Sequence, residues 1–193
     1  MSLRFAILGY LSTGPGTGWD ISRQFDTGLG WFWTARHSQI YPELKRMTQE
    51  GLVERDSETV GEALERFSYS ITDQGRAVLA EFTTSAPVYP PNRDAERLQF
   101  IFADDTPDAL RAHLEAHRER HTRRRTQLLE ILDALRANTH ERISLRVANR
   151  RAEGKSLTLG LRELAYQGEL QRAELEIAWA DSALVWLDDN TSL

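Results

Sequence analysis

Arg36, Ser38, Gln39, Tyr41 and Lys45 bring cationic, hydroxyl and amide groups together in one short stretch. Hydroxyl and amide groups of this kind hydrogen-bond phosphates or base edges, and a glutamine can bridge adenine in a major groove. Arg36 and Lys45 suit phosphate, each adding about one unit to the salt dependence of binding. The bland alternative for Ser38, Gln39 and Tyr41 is helix capping plus a surface tyrosine. The surrounding pattern places all of them on one helix, from about Ala35 to Glu50. Ile40, Leu44 and Met47 recur at three- and four-residue steps and form its buried face. Arg36, His37, Gln39, Lys45 and Arg46 fall on the other face. Pro42 is expected in the first turn or so, where a missing N–H is tolerated. Gly51 stands where a helix C-cap wants a left-handed residue.

A helix with a basic outer face, followed at once by a two-stranded wing, is the layout of a winged helix-turn-helix. Its second motif helix enters the DNA major groove. The wing strands are expected at Leu52–Asp56 and Arg66–Ile71, where Phe67, Tyr69 and Ile71 alternate with serines. Upstream, residues 3–12 read as a first helix and residues 14–18 as a turn. Thr17 caps a short helix from Trp19 to Phe25, which buries Trp19 or Ile21 together with Phe25. A loop from Gly28 to Phe32 follows, with Trp33 assigned to the core. Thr72 caps a further helix that continues through Phe82.

The charge balance runs against a nucleic-acid partner. Net charge is −5, and residues 1–85 carry 8 basic against 11 acidic side chains, whereas a DNA-binding domain usually shows a basic footprint. DNA, however, responds to the charge of the facing surface rather than to the domain total. The wing holds Asp56, Glu58, Glu62 and Glu65, so its tip is expected to avoid phosphate. Arg55 and Arg66, at the strand ends, are its only cationic candidates. The absence of cysteine excludes disulfides, thiolate metal sites and a cysteine nucleophile, and fits a cytoplasmic setting. The first residues do not read as a signal peptide. No run approaches the roughly 18 apolar residues of a membrane span.

Pro87, Pro90 and Pro91 mark a boundary near residue 85. The remainder, 86–193, reads as helical: about Asp94 to Ala103, then Thr106 to Leu135, a connection at Gly154, and a last helix from about Leu159 to Leu187. Leu161, Leu164, Ala165, Gly168, Leu175, Ala178, Trp179, Ser182 and Trp186 form a stripe along that helix. One or two neighbours in the same chain cannot cover so long a stripe, and a two-fold dimer is the simple solution. The chain is thus mainly α with a small two-stranded β-wing: a winged helix-turn-helix domain, 1–85, followed by an α-helical dimerisation domain, 86–193. An effector pocket, if present, would lie between domains or subunits, with Trp31, Phe100 and Trp179 as candidate lining. His113, His117 and His121 share a helix face, but such stripes are more often surface or interface than metal ligands, and no metal or cofactor is expected. The cluster Arg118, Arg120, Arg123, Arg124 and Arg125 reads as a solvated face paired with Glu115 and Glu119.

Several short motifs occur in a fixed order: Leu8-Gly9-Tyr10-Leu11, Gly18-Trp19-Asp20-Ile21, Phe32-Trp33, Ser38-Gln39-Ile40-Tyr41-Pro42-Glu43-Leu44, Glu50-Gly51-Leu52-Val53 and Tyr69-Ser70-Ile71-Thr72-Asp73-Gln74-Gly75. Through them residues 3–82 resemble the winged-helix domain of the PadR-type transcriptional regulators. The second half is similar to the virulence-activator-like helical domain of the longer members, through Leu98-Gln99-Phe100-Ile101-Phe102-Ala103-Asp104 and Ala178-Trp179. The resemblance implies a homodimeric repressor, less often an activator, with C-terminal helices exchanged across the dimer. It implies a pseudo-palindromic double-stranded DNA operator and a small, often aromatic effector that loosens DNA binding; no membrane partner is expected. No catalysis is expected, because the sequence shows no nucleophile–base spacing, phosphate loop or ligand set to support any. A different reading is a winged helix serving protein–protein interaction without sequence-specific DNA binding.

Overall fold

In a computed structural model of the chain, residues 3–33, 35–60, 64–88, 91, 94–102, 106–137 and 152–191 are described. The chain divides into two compact units, Met1–Tyr89 and Pro90–Leu193.

The first unit contains α1 (Leu3–Leu11), β1 (Gly16–Thr17), α2 (Gly18–Thr27), a 3₁₀ turn (Leu29–Trp31), α3 (His37–Gln49), β2 (Val53–Val60), β3 (Leu64–Ile71) and α4 (Asp73–Thr84). Its core joins Ile7, Leu8 and Leu11 of α1 to Ile21 and Phe25 of α2, and to Ile40, Leu44 and Met47 of α3. Val53, Tyr69 and Ile71 close it from the sheet. Burial of each large aliphatic side chain contributes about 1.5–3 kcal/mol. Trp33 is half-buried and packs against this core. Ile21, not Trp19, is the inward residue of α2; Trp19 is 55% exposed.

Two threonines fix helix starts. Thr17 Oγ1 accepts the Asp20 N–H at 3.2 Å, while the Thr17 N–H donates to Asp20 Oδ2 at 2.9 Å, a reciprocal cap. Thr72 Oγ1 accepts the Gly75 N–H at 3.0 Å and donates to the Gly51 carbonyl at 2.7 Å. It thereby ties α4 to the end of α3, where Gly51 takes φ +71°.

The sheet has three antiparallel strands in the order β1-β3-β2 rather than the expected two. β1 spans two residues, pairing Gly16 with Tyr69 and Thr17 with Ser68. Two residues carry no alternation, so the sequence offers only a turn there. The wing strands also run longer than expected, because acidic residues inside them read as loop: Asp56 pairs with Ser68 and Glu58 with Arg66. Glu62, at the wing tip, lies outside the described residues, as does the side chain of Arg66.

The second unit contains α5 (Ala95–Ile101), α6 (Pro107–Arg136) and α7 (Ala152–Thr191). Gly154 lies inside α7, not in a connection; one glycine costs a helix only about 1 kcal/mol, and a 40-residue helix absorbs it. At 1.5 Å per residue α7 is about 60 Å long. Leu114, Ala180, Leu184 and Leu187 form a core between α6 and α7, with Phe100 of α5 against it.

The arginine cluster does not pair as expected. Arg123 meets Glu119, but Arg118 reaches Asp181, Arg124 reaches Glu169, Arg125 reaches Glu174 and Arg120 reaches Glu96. With Arg111–Asp188 and Arg136–Glu163, the pairs made by Arg118, Arg124 and Arg125 run antiparallel along α6 and α7. Each exposed pair stabilises by less than about 1 kcal/mol, but the set fixes the register of the two helices. His117 is buried, its Nδ1 2.6 Å from Glu96 Oε2, and its ring lies 4.3 Å from that of His121. Among the described residues no group of three or more His, Cys, Asp or Glu could hold a metal ion. No described helix is long and apolar enough to cross a membrane.

Candidate nucleic-acid interface

α3 is held from behind and open in front. Ile40, Leu44 and Met47 are fully buried, while Arg36, His37, Ser38, Gln39, Tyr41, Lys45 and Arg46 are exposed. The start of the helix is secured by its own residues. The Arg36 N–H donates to Gln39 Oε1 at 3.0 Å, and His37 Nε2 lies 3.3 Å from Asp26 Oδ2 at the end of α2. In this arrangement the Gln39 carbonyl oxygen serves as a cap, leaving its NH₂ to face outward. Bidentate contact with adenine would require that cap to open.

Pro42 is the sixth residue of α3, in its second turn rather than the first. It has no N–H, so the carbonyl of Ser38, on an exposed turn, receives no α-helical bond. The ring also restricts the backbone beside Tyr41.

The exposed side of α3 opens on a cavity of about 570 Å³ lined by Gly18, Trp19, Tyr41, Lys45, Arg55 and Phe67, among others. Tyr41 is 53% exposed. It stands so close to Gly18 that a Cβ there would lie 2.5 Å from ring atom Cε1; the absent side chain of Gly18 makes room for the tyrosine. Arg55 lies with its guanidinium 3.9 Å from the centroid of Phe67. Cross-strand register places Arg55 opposite Tyr69 and leaves Phe67 as a diagonal neighbour, within reach of a long side chain. A cation stacked in this way is oriented without being neutralised. The groove therefore combines two exposed aromatics, two cations and several amide or hydroxyl groups, a chemistry suited to phosphate, sugar and base edges.

The structure thus brings Tyr41, Lys45 and Arg55 together, with Arg36, Ser38 and Gln39 at the exposed helix start. Trp19 was missed by sequence reasoning. Its signal was present: Trp19 and Ile21, two apart on one helix, cannot both face the core.

In the second unit Phe100 and Trp179 meet edge to face at 5.3 Å, and Arg97 lies 4.3 Å from the Trp179 ring centroid. A cavity of about 330 Å³ beside them is also lined by His113, His117, Arg120 and Arg123. Trp31 belongs to the first unit and is half-buried. On α7, Leu161, Leu164, Leu175 and Trp186 are 58–67% exposed, and Gly168 and Ala178 are exposed too. Trp179 differs from the rest of that stripe, being half-buried in its own chain.

Residues 7–81 match the Transcriptional regulator PadR-like family. The negative transcriptional regulator PadR of Bacillus subtilis (strain 168) is 45% identical over 80 residues, which cover 42% of this chain and 44% of that protein. A probable transcriptional regulator of Mycobacterium tuberculosis is 37% identical over 82 residues, covering 42% and 43%. The matched stretch spans less than half the length of either relative. Solved structures align over nearly the whole chain. Bacillus subtilis PadR in complex with operator DNA gives a TM-score of 0.73 at 27% identity, covering 96% of this chain and 97% of that one. The Vibrio cholerae virulence activator AphA gives 0.68 at 29%, covering 97% and 99%. Bacillus subtilis PadR in complex with p-coumaric acid gives 0.68 at 26%, covering 96% and 95%. Residues 7–81, in the N-terminal winged-helix unit, thus belong to the PadR-like family of transcriptional regulators.

Proposed function

We propose that this chain is a cytoplasmic, dimeric repressor that grips a pseudo-palindromic operator with α3 and the groove beside it, and releases it when a small aromatic effector binds. The observation that carries the reading is the groove itself. Tyr41, Lys45, Trp19 and Arg55 converge on the open side of a helix whose other side is fully committed to the core. The likeness to a PadR bound to operator DNA supports DNA as the partner. The effector part is supported by the p-coumaric acid complex of that relative. Phe100 and Trp179, beside the cavity of the second unit, are its candidate contacts; Trp31, in the first unit, is a separate candidate.

Footprinting on the DNA that the protein selects tests this. Two protected patches about one turn apart, 10–10.5 base pairs centre to centre, should fade as p-coumaric acid is added. A single patch contradicts the dimeric mode, and protection indifferent to aromatic acids contradicts the effector reading.

The dimer is assigned to the exposed stripe of α7, with Leu161, Leu164, Gly168, Leu175, Ala178 and Trp186 as its contacts and Trp179 beside them. Steps of three and four residues carry this stripe along one side of the helix, as in a coiled-coil seam. Leu164→Glu with Leu175→Glu should weaken the dimer at least about a hundredfold, because two carboxylates would lose water without partners. Helix content should be kept, since both side chains are exposed in the single chain. Sedimentation equilibrium measures it; an unchanged dimer places the interface elsewhere.

A further inference from the structure

An acidic winged helix has to present a cationic face to DNA, and the structure contains a device that does this. Across α3 and its C-cap the acidic residues are Glu43 and Glu50. Both are held by one residue of another helix. Arg4 of α1 places Nε 3.2 Å from Glu43 Oε1, Nη1 2.8 Å from Glu50 Oε2 and Nη2 3.0 Å from Glu50 Oε1. A planar guanidinium is suited to this fork on two carboxylates, and a lysine is not. Glu43 is nearly buried, with its other oxygen 3.4 Å from Arg46 Nη1. The hydrogen bond to Glu50 is the largest influence holding the Arg4 guanidinium above its ordinary pKa.

We infer that Arg4 is a positioning and charge-shielding residue for operator binding: it covers the carboxylates of the recognition helix so that DNA meets α3 through Lys45, Arg46 and Arg36. This rests on the reading of α3 as the DNA-contacting helix. Without Arg4, Glu50 has no cation beside it among the described residues, and Glu43 keeps Arg46 there. The deficit is local, and no count of charges over the domain reveals it.

The test uses the full-length protein and a 30-base-pair duplex that the wild-type chain selects from a randomised pool. R4Q should weaken binding roughly five- to tenfold at low salt, about what one unit charge facing several phosphates through water amounts to. The deficit should shrink as salt shortens the screening length to about 8 Å at physiological strength. R4Q/E50Q has the wild-type net charge and should return to within about threefold of wild type. R4Q/E81Q has the same net charge but removes a carboxylate on α4, and should not recover. Thermal unfolding of each variant reports folding separately. Unchanged binding by R4Q overturns the inference. So does failure of E50Q to rescue a folded R4Q protein, which would make Arg4 a purely mechanical clamp, and so does equal rescue by E81Q. A wild-type chain that selects no duplex overturns the DNA reading and this inference together, whereas wild-type binding with R4Q unaffected overturns this one alone.

Discussion

Gly75→Ala will destabilise the winged-helix unit by about 2–4 kcal/mol, one of the largest effects expected of a single methyl in this chain. A Cβ at Gly75 would lie 2.2 Å from the Leu52 carbonyl oxygen and 2.9 Å from Ile71 Cγ1. The first of these neighbours is backbone and cannot swing aside. Moving it would pull Leu52 O from the Thr72 N–H, which donates to it at 3.2 Å. Moving α4 instead would strain Thr72, whose hydroxyl joins Gly75 to Gly51. Three elements therefore meet at a point where only glycine fits. Denaturant unfolding of the full chain, followed by tryptophan fluorescence, measures the loss. An unchanged midpoint would show that this junction is looser than the packing implies.

Tyr41→Ala should weaken operator binding about thirtyfold or more, in the range of about 2 kcal/mol or above that aromatic anchors lose on truncation, while folding and dimerisation stay as they are. The tyrosine makes no contribution to the buried core, so removing it leaves Ile40, Leu44 and Met47 in place. Its position is nevertheless fixed: Pro42 follows it, and Gly18 leaves just enough room for its ring. An exposed aromatic held in this way enters a contact with little loss of side-chain freedom. Lys45→Ala should act differently. It should lower affinity less and reduce the salt slope by about one unit, as expected for one phosphate contact. Binding titrations at several salt concentrations separate the two. If both variants bind their operator normally, the groove is not the DNA surface.

The parts of the fold legible in sequence are those in which local chemistry and tertiary packing agree. Ile40, Leu44 and Met47 announced the buried face of α3, and Thr17, Thr72 and Gly51 marked ends that the structure caps as expected. What was illegible has common physical causes. β1 is two residues long and exists through its pairing with Tyr69 and Ser68, so nothing local specifies it. Gly154 carries a breaker signal that the helix-forming residues around it outweigh. Arg111 and Arg124 of α6 find partners 77 and 45 residues away, in Asp188 and Glu169, and no spacing rule reaches that far. The candidate interface was legible where α3 alone supplies it. Trp19, Gly18 and Phe67 join it from other elements, and only folding places them beside Tyr41.

The measurement that tests the central claim most directly is equilibrium binding of the purified wild-type chain to the DNA immediately upstream of its own coding region, across a salt series, against random competitor. The groove on α3 predicts tight, sequence-selective binding that weakens steeply as salt rises, because several cations displace counterions from phosphate. Absence of binding to this or any other duplex, even at low salt, would contradict it.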